Sequence, residues 1–205
     1  MALAVVAAGV LYLFIPADFR ITEAMRYAYP LLLIVFLAIL VIGDPGRIDR
    51  ENRWLRVTTG LLIVTITIGA AVSAVRLVLG ILRKADFTTP GQLLAIGAIV
   101  WSTNVIAYSL WYWHLDRGGP AARALGHQHS PAAFRFPEED LPVSSAAAWY
   151  PQFIDYFVLS FNTATAFSAT DVSAIRHWSK LTMVLESAIS LTLVALVVAR
   201  AVNVL

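Results

Sequence analysis

The 205-residue chain contains no cysteine, which excludes disulfide bonds, thiolate metal sites and catalysis by a thiol. Charged residues are also scarce, at 14%, whereas 59% of the residues are hydrophobic and the mean hydropathy is +0.74. These values lie outside the range of ordinary soluble domains. The basic residues are spread over short loops without a basic stripe, so nothing indicates nucleic-acid binding. The composition predicts an all-α integral membrane protein with the lipid bilayer as its first partner.

Enzyme and metal-site motifs are missing as well. We find no nucleophile–base pattern, phosphate-binding loop or zinc-protease motif in the sequence. His127 and His129 stand close together, but two histidines without a third ligand are a weak metal signal. We therefore expect no enzymatic activity, no metal and no cofactor.

The sequence does contain a series of hydrophobic segments near the roughly 20 residues that a membrane-spanning helix needs. They cover residues 2–15, 27–42, 57–82, 90–113 and 178–205. The first is short, and it lacks the basic start and small-residue cleavage site of a signal peptide, so we expect an uncleaved helix. The fourth has a helix-start signature, in which Thr88 and Thr89 precede Pro90. The pattern predicts about five transmembrane helices.

A short polar stretch, residues 163–171, interrupts the apolar C-terminal quarter of the chain. Residues 153–162 before it are long enough for a half-helix, and residues 178–205 after it can cross a bilayer. Non-helical backbone at membrane depth is tolerated only where it is buried in protein or lines water. We therefore predict a re-entrant half-helix and loop, arranged as pore helix, narrow turn and lining helix. Six full transmembrane helices are the alternative.

The chain is expected to form a single membrane domain, residues 1–205. Its parts are an N-terminal four-helix part, an extramembrane loop or cap, and a pore-like helix-turn-helix module, at residues 1–115, 116–150 and 151–205. The middle part is rich in proline, glycine and charge, and it could equally be a cap or a linker. Phe134, Phe136, Trp149 and Tyr150 would anchor a cap in a way that a free linker does not need.

The polar interruption resembles the pore module of potassium-channel-type proteins, in which a helix runs into a TxVGYGD filter and a Trp opens the inner helix about seven residues later. Thr165 to Asp171 fall on that filter, and Trp178 follows Asp171 by seven positions. Ser168 and Thr170 stand where the filter glycines would be, and no glycine follows Gly126. Because glycine tolerates positive φ at little cost and Ser and Thr do not, these departures argue against a potassium-selective filter. The whole chain also resembles a family of bacterial multi-pass membrane proteins without an assigned activity, through WYWHLDRGGP at residues 111–120 and the C-terminal module.

The resemblance implies a cation channel or channel-like protein, with a monovalent cation as a candidate partner. Hydroxyl and carboxylate groups can replace part of the hydration shell of an ion. The candidate pore-lining residues are Thr163, Thr165, Ser168, Thr170 and Asp171. Since one copy cannot enclose such a pore, we expect a homo-oligomer, a tetramer by analogy. A non-conducting membrane scaffold or assembly partner is the alternative, and a small-solute transporter comes third because no inverted repeat is visible.

Three ionisable residues lie within or beside apolar segments, where charge is a functional hypothesis by default. Asp155 stands near the start of the half-helix, where capping is the competing explanation. Glu186 lies about two turns into the last helix and could face a water-filled cavity. Arg76 is less than two turns from Arg83, so its side chain could extend to the headgroups.

Arginine is concentrated in the loops on one side of the predicted bundle. A re-entrant C-terminal module would place residues 44–56, 116–150 and 171–180 on that side, and the positive-inside rule makes it cytoplasmic. Potassium-channel filters open to the outside, so the charge count and the resemblance disagree on the direction of the module. In either case the sequence predicts a multi-pass protein of the inner (plasma) membrane.

Overall fold

The fold is described by a computed structural model, which covers residues 1–20, 22–43, 53–83, 89–126, 131–140, 149–165 and 171–204. Within these ranges the chain forms seven α-helices and a single pair of two-residue strands. The helices are α1 Ala2–Leu13, α2 Met25–Gly43, α3 Arg53–Leu82, α4 Pro90–Leu115, α5 Pro120–Ala124, α6 Phe153–Thr165 and α7 His177–Val204. The strands are β1 Phe134–Arg135 and β2 Ser173–Ala174, which pair antiparallel. The predicted all-α class is confirmed.

Four of the helices, α2, α3, α4 and α7, are long and apolar enough to cross a membrane. Helix α1 has 12 residues, or about 18 Å at 1.5 Å per residue, which is shorter than the roughly 30 Å of hydrocarbon in a bilayer. Many large apolar side chains on the long helices face outward, as lipid contact requires, among them Leu31, Ile68 and Leu191. These features fit a membrane protein.

Helix α4 begins where its sequence signature predicts. Thr89 is extended, its hydroxyl oxygen accepts a hydrogen bond of 3.2 Å from the backbone N–H of Gln92, and Pro90 occupies the first turn. This cap satisfies one of the backbone N–H groups that a helix start leaves unpaired. The cap defines the start of α4, the helix against which α6 and α7 pack.

Helix α4 is the centre of the bundle, because α1, α3, α6 and α7 all pack against it. Its residues Leu93, Val100 and Leu110 are fully buried in the main apolar core. Gly97 permits the closest approach of α7, since a Cβ at this position would lie 2.8 Å from a methyl group of Val197. Leu193 and Val197 of α7 are buried at this crossing.

Helix α6 starts at the end of the bundle where α4 stops and α7 starts. There the Tyr156 hydroxyl donates to Asp116, which follows α4, in a bond of 2.5 Å. Toward the other end of α6, the carbonyl oxygen of Thr163 accepts a 3.0 Å hydrogen bond from Ser187, ten residues into α7. Strand β2 pairs with β1, and Ala133, which precedes β1, donates its N–H to Asp116. The first turn of α6 and strand β2 therefore lie at the same end of the bundle.

The described part of the segment between α4 and α6 packs on the bundle. Phe134 and Phe136 are 0% and 3% exposed, and the ring of Phe134 lies 5.0 Å from that of Tyr112. Trp149 and Tyr150 stay exposed, although the ring of Trp149 lies 5.7 Å from Phe136. Two of the four predicted anchors are thus inserted into the protein, as a cap requires.

Candidate functional site

The carboxyl group of Glu186 on α7 is fully buried in the protein. The hydroxyl of Tyr112 on α4 donates to its Oε2 atom at 2.5 Å. Its Oε1 atom is hydrogen-bonded to the hydroxyl of Ser160 on α6, and that hydroxyl also lies 2.8 Å from the carbonyl oxygen of Val105 on α4. Glu186, Tyr112 and Ser160 are each 0% exposed. The carboxyl group therefore connects α4, α6 and α7.

Further polar contacts continue along the same face of α7. Asn104 of α4 donates to the hydroxyl of Ser190 at 3.1 Å, as expected for a polar residue between membrane helices. Ser187 donates to the carbonyl oxygen of Thr163. Burying a carboxyl group is costly unless hydrogen bonds replace its water, and Tyr112 and Ser160 supply them. No ion pair to Glu186 exists among the residues that the structure describes.

A second buried carboxylate, Asp116, lies at the end of α4. Besides the hydroxyl of Tyr156, its side chain accepts the N–H of Ala133 at 2.7 Å, and the Nε atom of Arg117 lies 3.4 Å away. Arg117 has a φ of 52°, and Gly118 and Gly119 follow with φ of 83° and 102°. Because positive φ is cheap for glycine, the two glycines let the chain turn sharply back over the end of α4.

Arg123 of α5 completes this second cluster. Its guanidinium group donates to the carbonyl oxygens of Asp116 and Trp113, at 2.7 and 2.8 Å, and lies 5.0 Å from the centre of the Tyr156 ring. Burial lowers the pKa of Arg123 from its ordinary value. The cluster holds residues 116–126, residues 131–135 and the first turn of α6 against the end of α4, so it positions the half-helix.

The predicted pore-lining residues are partly described. Thr163 is buried between α6 and α7, and its hydroxyl donates to Leu159 of its own helix. Thr165 is half-buried and donates to the carbonyl oxygen of Asn162. Asp171 is exposed at the end of the bundle. Ser168 and Thr170 lie outside the described residues.

The other two predicted intramembrane polar residues make local contacts. Asp155 caps α6, because its carboxylate accepts the backbone N–H of Gln152 at 2.7 Å. Arg76 is half-buried and donates to the carbonyl oxygen of Arg20, which ties α3 to the segment after α1. Arg20 is itself buried and donates to the carbonyl oxygen of Leu13 at 3.2 Å.

The sequence did not single out Tyr112, Ser160, Tyr156, Asp116 or Arg123 as site residues. One signal was available, since Tyr156 and Ser160 are four residues apart and so share a face of α6. Their partners lie 40 and 26 residues away along the chain, and no local pattern connects them. No group of three metal-ligating side chains occurs within the described ranges, and His127 and His129 fall outside them.

The sequence matches no protein-family model, and no curated protein and no solved structure is similar to it. No known relative therefore assigns a role to Glu186 or to the half-length helix α6. A function for this chain must be argued from its own geometry.

Proposed function

We propose that this chain is a multi-pass protein of the inner (plasma) membrane whose C-terminal module forms a cation-conducting, channel-like path in a homo-oligomer. The observation that carries the proposal is the placement of α6, a half-length helix that packs against the membrane-length helices α4 and α7 and starts at the same end of the bundle as β2. From this placement we infer that residues 153–174 form a re-entrant hairpin. In this proposal, α4 corresponds to the outer helix of a pore module, α6 to the pore helix and α7 to the inner helix, and residues 166–171 would supply the turn.

The length and the contacts of α6 support a re-entrant path. Its 13 residues extend about 20 Å, too short to cross the hydrocarbon. Hydrogen bonds from Ser160 and Ser187 hold its middle and its end against α4 and α7. The return of β2 to the starting level of α6 argues against six full spans. The proposed topology has α2, α3, α4 and α7 across the bilayer, α1 as a short fifth membrane helix, and α6 entering and leaving on one face.

The distribution of charge supports an orientation for this topology. The end of the bundle where α6 enters also carries Arg53, Arg56, Arg117, Arg123 and Arg176. By the positive-inside rule this end faces the cytoplasm, so α6 enters from the cytoplasmic side, opposite to a potassium channel. In a tetramer, the polar turns of four subunits would surround one axis, with Asp171 at the cytoplasmic mouth.

A non-conducting scaffold is the second candidate, and a specific observation favours it. The hydroxyl of Thr163 is buried inside the protomer and is bonded to its own helix, as is that of Thr165. A hydroxyl group that is bonded to its own helix can stabilise helix packing without contacting an ion. In the scaffold, the turn would be buried against a partner rather than placed around an axis.

Cation flux into liposomes that contain the purified protein tests the proposal. We expect uptake of monovalent cations down a gradient, above that of protein-free liposomes, together with a ring-forming oligomer by native mass spectrometry. Correctly folded protein that carries no cation under any voltage or gradient would overturn the channel. If it is also monomeric or a face-to-face dimer, the scaffold replaces the channel.

A further inference from the structure

The hydrogen bonds around Glu186 require one more proton than the neighbouring hydroxyl groups supply. Three contacts are present: Tyr112 with Oε2, Ser160 with Oε1, and Ser160 with the carbonyl oxygen of Val105. The carbonyl oxygen and an ionised carboxylate are acceptors only, and each hydroxyl donates one proton. Two protons cannot serve three contacts. All three are hydrogen bonds only if the carboxyl group itself carries the third proton and donates it to Ser160.

We propose that Glu186 is a proton-binding site inside the helix bundle, and that the proton it holds completes the connection between α6 and α4. With the proton bound, Glu186 donates to Ser160 and Ser160 donates to Val105, so that α7, α6 and α4 are joined in one chain of bonds. When the proton leaves for bulk water, the carboxylate becomes an acceptor only, and the hydroxyl of Ser160 donates its hydrogen bond to the carboxylate. The bond from Ser160 to Val105 is then lost, and α6 is hydrogen-bonded to α7 alone at this level.

The surroundings fit a site for a proton rather than for a larger cation. Glu186, Tyr112 and Ser160 are 0% exposed and in direct hydrogen-bond contact, which leaves no space for an ion between them. The ionisable groups that face the carboxyl group are the phenols of Tyr108 and Tyr112 on α4. On α6, Tyr156 lies one turn before Ser160, but its hydroxyl donates to Asp116.

Positive charge lies away from the site. The ionisable residues of α3, which also packs on α7, are Arg53 and Arg56 near its start and Arg76 on the carbonyl oxygen of Arg20. No cation forms an ion pair with Glu186 in the described part of the chain. An ionised Glu186 would thus depend on two hydroxyl groups alone, whereas the neutral form needs no counter-charge.

Infrared spectroscopy of the full-length protein in lipid bilayers, titrated with pH, tests this proposal independently of conduction. The wild type should show a carbonyl band of a neutral carboxylic acid that disappears on raising the pH. This band should be lost in Glu186→Gln and kept in Glu138→Gln, which removes an exposed carboxyl group. The protection factors of the α6 amides, which correct the exchange rates for base catalysis, should fall over the pH interval in which the band disappears.

The same infrared band is also measured in two serine variants that retain Glu186. Ser160→Ala removes the acceptor of the Glu186 proton and should shift the band, whereas Ser187→Ala, which removes a bond to Thr163, should leave it in place. Identical spectra for wild type and Glu186→Gln at every pH, or a band unchanged by Ser160→Ala, would overturn the proton site. Protection factors of the α6 amides that stay constant while the band is lost would overturn the connection of α6 to α4.

Discussion

The hydroxyl of Tyr156 donates to Oδ2 of Asp116 at 2.5 Å, and this bond joins the first turn of the half-helix to the end of α4. Both residues are 0% exposed. A buried carboxylate that loses a donor keeps its desolvation cost without the bond that offset it. The bond therefore anchors the entrance of the hairpin on which the proposed function depends.

Tyr156→Phe should lower the free energy of unfolding by about 1–3 kcal/mol, because it leaves a buried carboxylate oxygen of Asp116 with one donor fewer. Thermal unfolding in detergent, followed by circular dichroism, measures the change. Tyr27→Phe is the control, since Tyr27 is 69% exposed and the substitution removes the same atom. Equal unfolding temperatures for both variants would show that the bond does not hold the hairpin.

Gly97→Ala should destabilise the crossing of α4 and α7 by about 1–3 kcal/mol, because the added methyl group would overlap the stiff side chain of Val197. Gly91→Ala makes the same chemical change in the same helix, where nothing lies within 4 Å of the new atom, and it should leave stability unchanged or slightly higher. The two variants are compared by the same unfolding assay. A Gly97→Ala protein as stable as wild type would contradict the described packing.

The amides that fasten the segment between α4 and α6 should exchange slowly with solvent. Ala133 donates its N–H to Asp116 at 2.7 Å, and Ile175 donates to the carbonyl oxygen of Ala133 at 2.8 Å. Hydrogen exchange followed by mass spectrometry should show protection at residues 133–136 and at 175. Phe134→Ala should remove this protection, because the ring of Phe134 packs against Tyr112, Tyr156 and Trp178. Rapid exchange of these amides in the wild type would mean that the segment is a linker rather than a cap.

Asp171→Asn should reduce cation flux severalfold and leave the oligomer intact, because carboxylates around a pore mouth concentrate cations. Thr170→Val should also reduce flux by removing a hydroxyl from the lining. Glu138→Gln, which neutralises an exposed carboxylate in the cap, is the matched control and should conduct like wild type. If Asp171 only caps the helix that follows, Asn replaces it well and flux stays the same.

The membrane-length helices could be predicted from the sequence because hydropathy reports directly on what lipid tolerates. Residues 57–82 and 178–205 correspond to α3 and α7, with ends that differ by at most four residues, and Thr89 caps α4 as its local signature predicts. Capping and hydropathy are local properties, so a single sequence contains them. The number of segments that truly cross depends on lengths near the limit, as α1 shows.

The packed face of α7 could not be predicted in the same way. Ala188, Thr192, Ala195 and Ala199 recur at spacings of three or four, which is typical of a face for close helix packing, but they are exposed in the protomer. The buried face instead contains Glu186, Ser190 and Val197. Tyr112 and Ser160 are hydrogen-bonded to Glu186, and Asn104 donates to Ser190. Val197 packs where Gly97 has no side chain. The hydrogen-bond partners of Glu186 and Ser190 are separated from them by 26 to 86 residues along the sequence, and only the tertiary structure brings them together.

The central claim is that α6 enters and leaves the membrane on one face, and the absence of cysteine makes it directly measurable. Single cysteines at Tyr150 and Ile175, which are 45% and 50% exposed, bracket the hairpin and can be labelled with a membrane-impermeant maleimide in sealed vesicles. Trp54→Cys at the same end of the bundle and Thr22→Cys at the other end are the controls for sidedness.

We predict that Tyr150→Cys and Ile175→Cys react from the same side of the membrane as Trp54→Cys, and that Thr22→Cys reacts from the other side. Reaction of Tyr150→Cys and Ile175→Cys from opposite sides would mean that residues 152–170 cross the bilayer completely, and would contradict the re-entrant module.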